Sequence, residues 1–346
     1  MRRLSAALLL AALLLTACSR APQLHQREAF VFGTRVEVSG WGESADKAAQ
    51  ALAAVLAEFD RLHRLLHAWQ PSELTTLNEA IARGEGNIAV SAELTFLLKD
   101  AADIAARSDQ LFNPAIGRLV ALWGFHSDEF RPQLPDMAAV EAVAKARPSM
   151  SDLTITDNSV SSRNRAVQLD LGGYAKGYAL DRAAALLKGM GVNNALINIG
   201  GNVMALGDKG GTPWRVGIQH PRAAAPLATL ELRDGEAIGT SGDYQRYFEV
   251  DGKRYCHLLD PRSGRPAEGT QAVTVLIPPR PGAGALSDAA SKPLFVAGPA
   301  EWRGLARRLG VEHALRIDAA GAMQVTAALR QRLTLLAKDV PLADLP

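Results

Sequence analysis

The chain has 346 residues, of which 48% are hydrophobic and 21% are charged, proportions that are typical of a globular protein with a large core. Its formal net charge is +2 at pH 7, and it contains no basic tract or aromatic platform, so its composition argues against a nucleic-acid partner. The length allows one large domain or two closely joined ones.

The first residues have the pattern of an export signal rather than of a folded element. Arg2 and Arg3 precede the apolar run LSAALLLAALLL, which is too short to span a membrane. The run ends in LTAC, which resembles the lipobox of bacterial lipoproteins, whose cysteine carries the lipid. We therefore predict lipidation of Cys18, with a plain secretory signal as the alternative.

This interpretation divides the chain and predicts its location. The predicted segments are a signal peptide at 1–17, a lipidated tether at 18–27 and a single domain at 28–346. Ser19 is not the aspartate associated with inner-membrane retention, so the lipobox resemblance implies a periplasmic protein on the outer membrane. Contact with the membrane would be through the lipid alone.

A lipid on Cys18 would leave Cys256 as the only other cysteine, without a partner. Such an exported protein cannot depend on an internal disulfide, so its stability must come from its core. We expect Cys256 to be a buried, inert thiol.

The first half of the domain is predicted to be mainly helical. The segment AFVFGTRVEVSGW alternates as a strand does, with Gly33 at a bend. Apolar residues at three- and four-residue steps then predict a long helix over 45–66, with Ser44 as its N-cap. Further helices are predicted over about 92–107 and 137–146, separated by the loop-rich segment LFNPAIGRLVALWGF.

Two histidines on the long helix have the spacing of metal ligands. His63 and His67 lie four residues apart, on one helix face. No third ligand accompanies them, so we interpret them as ordinary surface or core histidines rather than as a zinc site.

From Leu153 onward, short strands separated by turn signals replace the helices. The predicted strands are LTIT, AVQLDL, ALINIG, WRVGIQ, LATLEL, EAIGTSG, YFEV and AVTVLI. Near the end, SDAASKPLFVAG and EWRGLARRLG predict helices and HALRID predicts a strand. Early helices followed by mainly antiparallel hairpins indicate an α+β fold, in which N-terminal helices pack with a largely antiparallel sheet.

The segment DLGGYAKG interrupts this series of strands. Asp170 is predicted to end a strand, and Gly172 and Gly173 allow a sharp turn. The following helix offers unpaired amides to an anion, and Lys176 adds a full positive charge. The spacing is neither that of a P-loop nor that of GxGxxG. By itself, the segment fits a diphosphate site and a plain junction of strand, turn and helix about equally well.

Two further stretches carry polar groups near strand ends. INIGGNV, 197–203, contains a glycine pair and by itself predicts a hairpin turn. Asp243 follows Thr240 and Ser241 in a predicted loop, and His257 lies in a second loop that could face the first. Histidine moves protons readily near neutral pH, although a single histidine before Asp-Pro is more often structural.

A fourth stretch, ALSDAASKPLFVAG, places Asp288 in the first turn of a predicted helix. The carboxylate either favours the helix dipole or is an oxygen ligand for Mg²⁺, which usually takes one or two carboxylates together with substrate phosphates.

In this order, the four stretches resemble the FAD:protein FMN transferases, the ApbE family. The family pattern includes an Asp-Leu-Gly-Gly-x-Ala-Lys-Gly segment, an Ile-Gly-Gly turn, a Thr-Ser-Gly-Asp loop, a His-x-x-Asp-Pro segment and a late Asp-Ala helix. The upstream stretches PSELTTLN and LFNPAIGRLVALWGF also resemble its N-terminal motifs. The resemblance covers about Phe30 to Leu335, and an anchored periplasmic lipoprotein is a common form of the family.

The resemblance implies that the chain takes FAD and, with Mg²⁺, transfers the FMN half to a threonine or serine hydroxyl of a partner protein, releasing AMP. The implied metal ligands are at Gly173, Ala285, Asp288 and, where the family has threonine, Lys292. The implied FAD contacts are Phe32, Trp69, Asn78, Leu111, Phe112, Asn113, Asp170, Lys176 and Leu259. For proton transfer we predict His257, with Asp243 as the second candidate.

Two positions depart from the family pattern. Asn113, Pro114 and Ala115 stand where the family usually has Asp-Pro-Thr, so a carboxylate and a hydroxyl are missing near the flavin. Lys292 replaces the usual threonine, and a charged lysine offers no acceptor to a metal. Its ammonium either pairs with Asp288, turns toward a phosphate, or extends away while water fills the coordination position. We expect Mg²⁺ to remain required but to bind less tightly.

Two other functions stay open from the sequence. A lipoprotein with an incomplete metal shell could bind FAD and transfer nothing, or water could replace the acceptor and make the chain an FAD pyrophosphatase that yields FMN and AMP. The acceptor is not named by the sequence. The resemblance points to exported subunits of respiratory complexes, such as Na⁺-pumping NADH:quinone oxidoreductase or its Rnf relatives, or to another flavinylated redox domain.

Overall fold

A computed structural model describes residues 23–127, 129, 131–337 and 340–341 of the chain. The predicted signal peptide and the predicted lipidation site, Cys18, lie outside these residues. Among the helices in the described ranges, none is both long and apolar enough to cross a membrane.

An antiparallel sheet of eight strands forms the centre of the fold. Its strands, in their side-by-side order, are β1 (Leu24–Val31), β2 (Thr34–Trp41), β6 (Ala195–Ile199), β7 (Asn202–Leu206), β10 (Ala237–Gly242), β15 (Thr270–Ile277), β16 (His313–Asp318) and β17 (Met323–Val325).

Smaller antiparallel sheets flank it. One contains β3 (Ile88–Ala89), β5 (Ser159–Ser162) and β4 (Leu153–Ile155), and another contains β18 (Thr334–Leu335), β9 (Pro226–Leu232) and β8 (Trp214–Gln219). Two short hairpins are formed by β11 (Tyr247–Val250) with β12 (Lys253–Cys256), and by β13 (Leu259–Asp260) with β14 (Arg265–Pro266).

The helices include all those predicted from the sequence, which confirms the α+β fold. They are α1 (Ala45–Leu66), α2 (Glu73–Arg83), α3 (Ala92–Arg107), α4 (Gly117–Leu122), α5 (Met137–Ala146), α6 (Ala175–Gly189), α7 (Ala283–Val296), α8 (Gly298–Leu309) and α9 (Ala327–Arg330), with a 3₁₀ turn at Met150–Asp152. Helix α1 begins as predicted, because the Ser44 hydroxyl accepts the Lys47 amide at 3.4 Å.

The predicted first strand is in fact a hairpin. β1 begins at Leu24, inside the predicted tether, and pairs with β2 so that Val31 lies opposite Thr34. Phe32 and Gly33 form the two-residue turn, with φ of 56° and 66°. Positive φ at both positions matches the right-handed twist of two joined strands, so the chain reverses where the sequence pattern predicts only a bend.

Helices α2, α4 and α9 and one irregular segment were not predicted from the sequence pattern. The first turn of α2 has a capping box in which Thr75, rather than Glu or Gln, returns the hydrogen bond to Ser72. Helix α4 lies in the segment predicted to be a loop. The predicted strand AVQLDL is not a strand. Gln168 forms an isolated bridge with Ile116, and the Leu169 N–H donates a hydrogen bond to the Asn78 side chain rather than to a neighbouring strand.

Helices α6 and α7 pack together on the central sheet, and this pair positions the motifs. Helix α7 contacts β10 and β15, while α6 also packs on α1. Leu180 and Leu187 of α6 and Leu294 and Phe295 of α7 are fully buried. The segments DLGGYAKG, GTSGD and SDAASK are thereby brought together although they are far apart in sequence.

Candidate functional site

A single open cavity of about 1260 Å³ collects residues from all four motif stretches. This volume exceeds the range of about 300–1,000 Å³ that is usual for small-molecule sites, so a dinucleotide can be accommodated. The predicted site residues that line it are Phe32, Trp69, Leu111, Phe112, Asn113, Asp170, Gly173, Lys176, His257, Leu259, Asp288 and Lys292.

Three predicted site residues do not line the cavity. Asn78 is buried and uses both ends of its amide on Leu169, donating to its carbonyl at 2.9 Å and accepting its N–H at 2.7 Å. It therefore fixes the backbone just before Asp170. The structure places Asn78 behind the cavity lining rather than in direct reach of a ligand.

Asp243 is likewise not in the cavity lining. Both of its carboxylate oxygens accept from Arg222, at 2.7 and 2.6 Å. Thr240 and Ser241, predicted to lie in the same loop, belong to β10 and do line the cavity. Because strand pairing extends through residue 242, Asp243 is directed to a pair with Arg222 instead of joining them.

Ala285, the third of these residues, lies within the first turn of α7. Its N–H donates to Asp181 Oδ2 at 2.8 Å, and the Gly284 N–H donates to Asp181 Oδ1 at 2.8 Å. Desolvation in this enclosed position raises the pKa of Asp181 to about 6, although these two hydrogen bonds favour the carboxylate. Asp181, which was not predicted as important, thus holds the start of α7 to α6.

The crossing of α6 and α7 is close because glycine lies at the contact. A Cβ added to Gly177 would overlap the Gly284 carbonyl oxygen and lie 2.7 Å from Asp288 Cβ. On the other side of α7, a Cβ on Gly239 of β10 would lie 2.7 Å from the Ser287 carbonyl carbon. Helix α7 is therefore held tightly between α6 and the sheet, which fixes the position of Asp288.

Asp288 is fully buried at this crossing. It lies in the second turn of α7, not the first as predicted, and its Oδ2 accepts the Gly177 N–H at 3.0 Å. The carboxylate thus interacts with the first turn of the neighbouring helix α6. Burial alone would raise the pKa of Asp288, but the charges of Lys176 and Lys292 hold that pKa below its ordinary value.

Lys292 pairs with Asp288, which is the first of the three arrangements considered from the sequence. Its Nζ contacts Asp288 Oδ1 and also donates to the Asp288 carbonyl oxygen at 2.7 Å. Burial lowers the pKa of Lys292 to about 8, although the carboxylate favours the charged form. The ammonium group, in contact with this carboxylate, lies inside the cavity lining.

The glycine loop brings a second lysine to the same region. Asp170 Oδ1 accepts the Gly172 N–H at 2.8 Å, which closes the turn, and Lys176 Nζ donates to the Gly172 carbonyl at 3.2 Å. We call Gly173, Lys176, Asp288 and Lys292 the cationic floor, because it joins two ammonium groups to one carboxylate.

His257 lies where the cationic floor can act on it. Its Nδ1 is 3.1 Å from the Arg246 carbonyl oxygen, so a proton on Nδ1 leaves Nε2 as the acceptor. Desolvation and then the positive charge of Arg246 lower the pKa of His257 to about 3, and Lys176 and Lys292 act in the same direction. The imidazole is therefore neutral near pH 7.

Aromatic rings form another part of the cavity lining. Trp69 and His126 have ring centroids 5.4 Å apart, and those of Phe125 and His257 are 6.3 Å apart. Phe32, at the hairpin turn, contacts His63 edge-on at 5.7 Å. We call Phe32, Trp69, Phe125 and His126 the aromatic wall.

His63 of α1 and His67, the C-cap of that helix, both line the cavity. His63 and His67 stack edge-on at 4.9 Å, and His67 Nδ1 accepts the amides of Trp69 and Gln70. Among the residues described, no group of three or more His, Cys, Asp or Glu side chains is arranged to hold a metal.

The substitution at Asn113 has a structural explanation. Its amide nitrogen donates to the Pro148 carbonyl at 2.9 Å, and its Oδ1 accepts the Ala115 N–H at 3.0 Å. A carboxylate could not make the first of these bonds. Asparagine at this position therefore ties the cavity lining to the segment after α5.

The cavity lining also contains residues that were not among the predicted site residues, among them Phe125, His126, Arg246 and Asn202. Asn202 is 2% exposed, and its Oδ1 has no hydrogen-bond partner within the described part of the chain. Such a buried acceptor beside a cavity suits a ligand N–H. The glycine pair before it was visible in the sequence, but it was interpreted only as a turn.

The divalent ion implied by the sequence resemblance does not fit the donors at Asp288. Mg²⁺ needs oxygen acceptors in near-octahedral geometry. Both oxygens of Asp288 are already engaged, by Lys292 and by the Gly177 N–H, and the ammonium of Lys292 is a donor only. A metal at this carboxylate would have to displace Lys292 and would then face two neighbouring cations.

Comparison with known proteins agrees with this geometry. The ApbE family model matches residues 32–315. A protein of Rhodobacter capsulatus named FAD:protein FMN transferase is 44% identical over 321 residues, covering 92% of this chain and 60% of the relative, so the chain spans about 60% of that relative's length. An Escherichia coli K12 protein of the same name is 31% identical over 322 residues, covering 88% of this chain and 90% of the relative. A crystal structure of the ApbE protein of Thermotoga maritima has a TM-score of 0.80 at 31% identity and covers 90% of this chain and 99% of that chain.

Proposed function

The chain belongs to the ApbE family, and from that premise we propose that it transfers the FMN half of FAD to a threonine or serine hydroxyl of an acceptor protein, with release of AMP. One observation carries the proposal: the aromatic wall and the cationic floor line a single cavity, with His257 between them. The His257 ring contacts Phe125 of the wall, and the charges of Lys176 and Lys292 in the floor lower its pKa. Aromatic rings suit a flavin or adenine, and paired cations suit a diphosphate.

The proposed reaction is a substitution at the FMN-side phosphorus. The acceptor oxygen forms a new bond to this phosphorus, the bond to the bridging oxygen breaks, and AMP leaves with that oxygen. The hydroxyl proton must leave as well. Negative charge develops on the phosphate oxygens, and the ammonium groups of Lys176 and Lys292 are suited to stabilise it because they are already held in position.

His257 is our candidate for the proton acceptor. With a proton on Nδ1 facing the Arg246 carbonyl, Nε2 has a free lone pair. A base whose pKa is about 3 accepts a proton poorly, but that low pKa arises partly from Arg246, Lys176 and Lys292. A bound diphosphate would offset these positive charges, and so raise the pKa of His257 when substrate is present.

The resemblance implies a magnesium requirement, but the groups around Asp288 do not fit a magnesium ion. We assign no step to a metal ion. The positioning of the phosphates is instead assigned to the cationic floor, whose carboxylate and ammonium groups are held by α6 and α7.

We also propose that the chain acts in the periplasm, attached to a membrane by lipid on Cys18. The supporting feature is the sequence LTAC after an apolar run that follows two arginines. Its acceptor would then be an exported redox protein or a subunit of a respiratory complex that carries a surface threonine or serine.

One incubation separates the three functions considered. The chain is mixed with FAD and with the soluble flavin-carrying domain of a Na⁺-pumping NADH:quinone oxidoreductase subunit, and the products are analysed by mass spectrometry. We expect an acceptor mass increased by FMN, together with free AMP. Release of AMP and FMN without an adduct would indicate a pyrophosphatase, and bound intact FAD without either product would indicate a binding protein.

A further inference from the structure

We propose that the ammonium group of Lys292 supplies, from the chain itself, the positive charge that a divalent cation would supply beside Asp288, so that FMN transfer by this chain requires no bound metal ion. This inference deepens the proposed function and rests on it. It concerns which group faces the substrate phosphates in the cationic floor.

The first support is the state of the Asp288 carboxylate. Asp288 is 0% exposed, and each oxygen has a partner: Lys292 Nζ on Oδ1 and the Gly177 N–H on Oδ2. A buried carboxylate needs both compensating charge and hydrogen bonds, and it has them without a metal.

The second support is the location of Lys292. Its side chain is only 16% exposed, yet it lines the cavity. An ammonium has three N–H donors. Within the described residues, the Asp288 carboxylate and the Asp288 carbonyl oxygen account for two of them. The third can donate to a phosphate oxygen of a bound substrate, which is an anion contact that a metal ion would otherwise make.

The third support is the space around the lysine stem. A Cβ added to Gly173 would lie 3.3 Å from Lys292 Cε and 3.7 Å from Lys292 Cδ. The backbone of the glycine loop therefore lies directly against the side chain, and glycine leaves the room that its methylene groups occupy. The lysine is enclosed by the loop that precedes Lys176, rather than extended into solvent.

The charges are consistent with catalysis by ammonium groups alone. Lys176 and Lys292 flank one carboxylate, and Arg246 adds a third cation close enough to influence His257. In the transfer step the acceptor oxygen binds phosphorus, AMP departs with the bridging oxygen, and the hydroxyl proton passes to His257 and then to solvent. Lys292 donates hydrogen bonds throughout and exchanges no proton, so the step needs no further reactant.

The test compares metal binding and FMN transfer in the purified full chain and three variants. Lys292→Thr removes the ammonium and offers an oxygen, Lys292→Met removes the charge and offers none, and Lys188→Thr is a matched control on the exposed end of α6. Mn²⁺ binding is followed by electron paramagnetic resonance in the presence of FAD. Transfer to the acceptor domain is followed by mass spectrometry, in excess EDTA and in Mg²⁺.

We expect the wild type and Lys188→Thr to transfer FMN at similar rates in EDTA and in Mg²⁺, and to bind no Mn²⁺. Lys292→Met should be slower by about 100-fold in both conditions, because one preorganised charge is lost. Lys292→Thr should be equally slow in EDTA, but should bind Mn²⁺ and recover activity with Mg²⁺. Loss of wild-type transfer in EDTA with recovery in Mg²⁺ would overturn the inference.

Two outcomes of this experiment distinguish a failure of the inference from a failure of the proposed function. If no protein transfers FMN in any condition, the proposed function fails, and Mn²⁺ binding decides alone: equal binding by the wild type and Lys292→Thr overturns the inference, whereas binding by the variant only supports it. If Lys292→Thr does not fold, the wild type and Lys188→Thr still decide the question through their response to EDTA and to Mn²⁺.

Discussion

The cationic floor and the aromatic wall face the same cavity but are built differently. The charged groups of the floor lie on two helices, and its carboxylate is fully buried with a partner for each oxygen. In the wall, Phe32 and Trp69 are only partly buried, His126 is exposed, and the rings come from a hairpin turn and loops. Charges in a poorly solvated place must be fixed by hydrogen bonds, whereas rings that bind by surface contact tolerate more movement.

The largest effect should come from removing the carboxylate of the floor. Asp288→Ala would leave Lys292 as a buried cation without its partner, and we expect it to cost about 3 kcal/mol of unfolding free energy as well as FMN transfer. Unfolding in urea, followed by circular dichroism, measures the loss. The double variant Asp288→Ala/Lys292→Met should regain part of it, and a double variant as unstable as the single one would show that the ion pair is not the cause.

His257, between the two regions, should have the next largest effect. His257→Ala is expected to slow FMN transfer by about 100-fold if the imidazole accepts the hydroxyl proton. Because its pKa is about 3 in the free chain, kcat/KM of the wild type should show no inflection near pH 6.5. His25→Ala, on β1 and outside the cavity lining, is the matched control. Near-normal transfer by His257→Ala would rule out this role.

A wall residue should affect binding more than chemistry. Trp69→Ala is expected to weaken FAD binding by about tenfold, because one ring face is lost, while the rate at saturating FAD changes little. Trp69→Phe should restore most of the affinity. Flavin fluorescence titration gives the Kd, and Phe96→Ala, which removes an exposed ring outside the cavity, should leave it unchanged. An equal loss of rate at saturation would place Trp69 in the catalytic step instead.

The smallest effect should come from Asp181, which holds the start of α7 to α6. The pKa of Asp181 is about 6 when folded, above its ordinary value of 3.8, so the folded chain binds this proton more readily than the unfolded chain. Its contribution to stability is therefore fully present below about pH 4 and is lost as the pH rises through 6. Relative to Asp181→Asn, which does not titrate, the wild type should become less stable between these values. Parallel pH profiles of the two urea midpoints would contradict the raised pKa.

The sequence pattern predicted regular elements well and close contacts poorly. The bounds of α1, α3 and α5 follow from apolar spacing and caps, and the structure has the same helices. Helix α2 was missed because its capping box uses Thr75, and the strand before Asp170 was wrongly predicted because apolar alternation there is not matched by a neighbouring strand.

For the candidate site, the sequence motifs identified twelve of the residues that line the cavity but not the hydrogen-bond partners of their side chains. Lys176 and His257 were chosen for their chemistry, and both line the cavity. Asn78 and Ala285 were carried over by position and Asp243 was chosen for its chemistry, but all three make hydrogen bonds to other parts of the chain and lie outside the lining. No local pattern reveals a bond between residues that are 91 positions apart, as Asn78 and Leu169 are.

The sequence by itself determined the α+β class, the main helices, the family resemblance and the replacement of a threonine by Lys292, because these depend on residue identity and local spacing. Only the tertiary structure decided that Asp288 interacts with the first turn of α6 and that Lys292 occupies the other carboxylate oxygen. The physical reason is the close crossing of two helices at Gly177, which brings together groups from segments more than 100 residues apart. A buried carboxylate needs these neighbouring charges and hydrogen bonds in order to remain ionised.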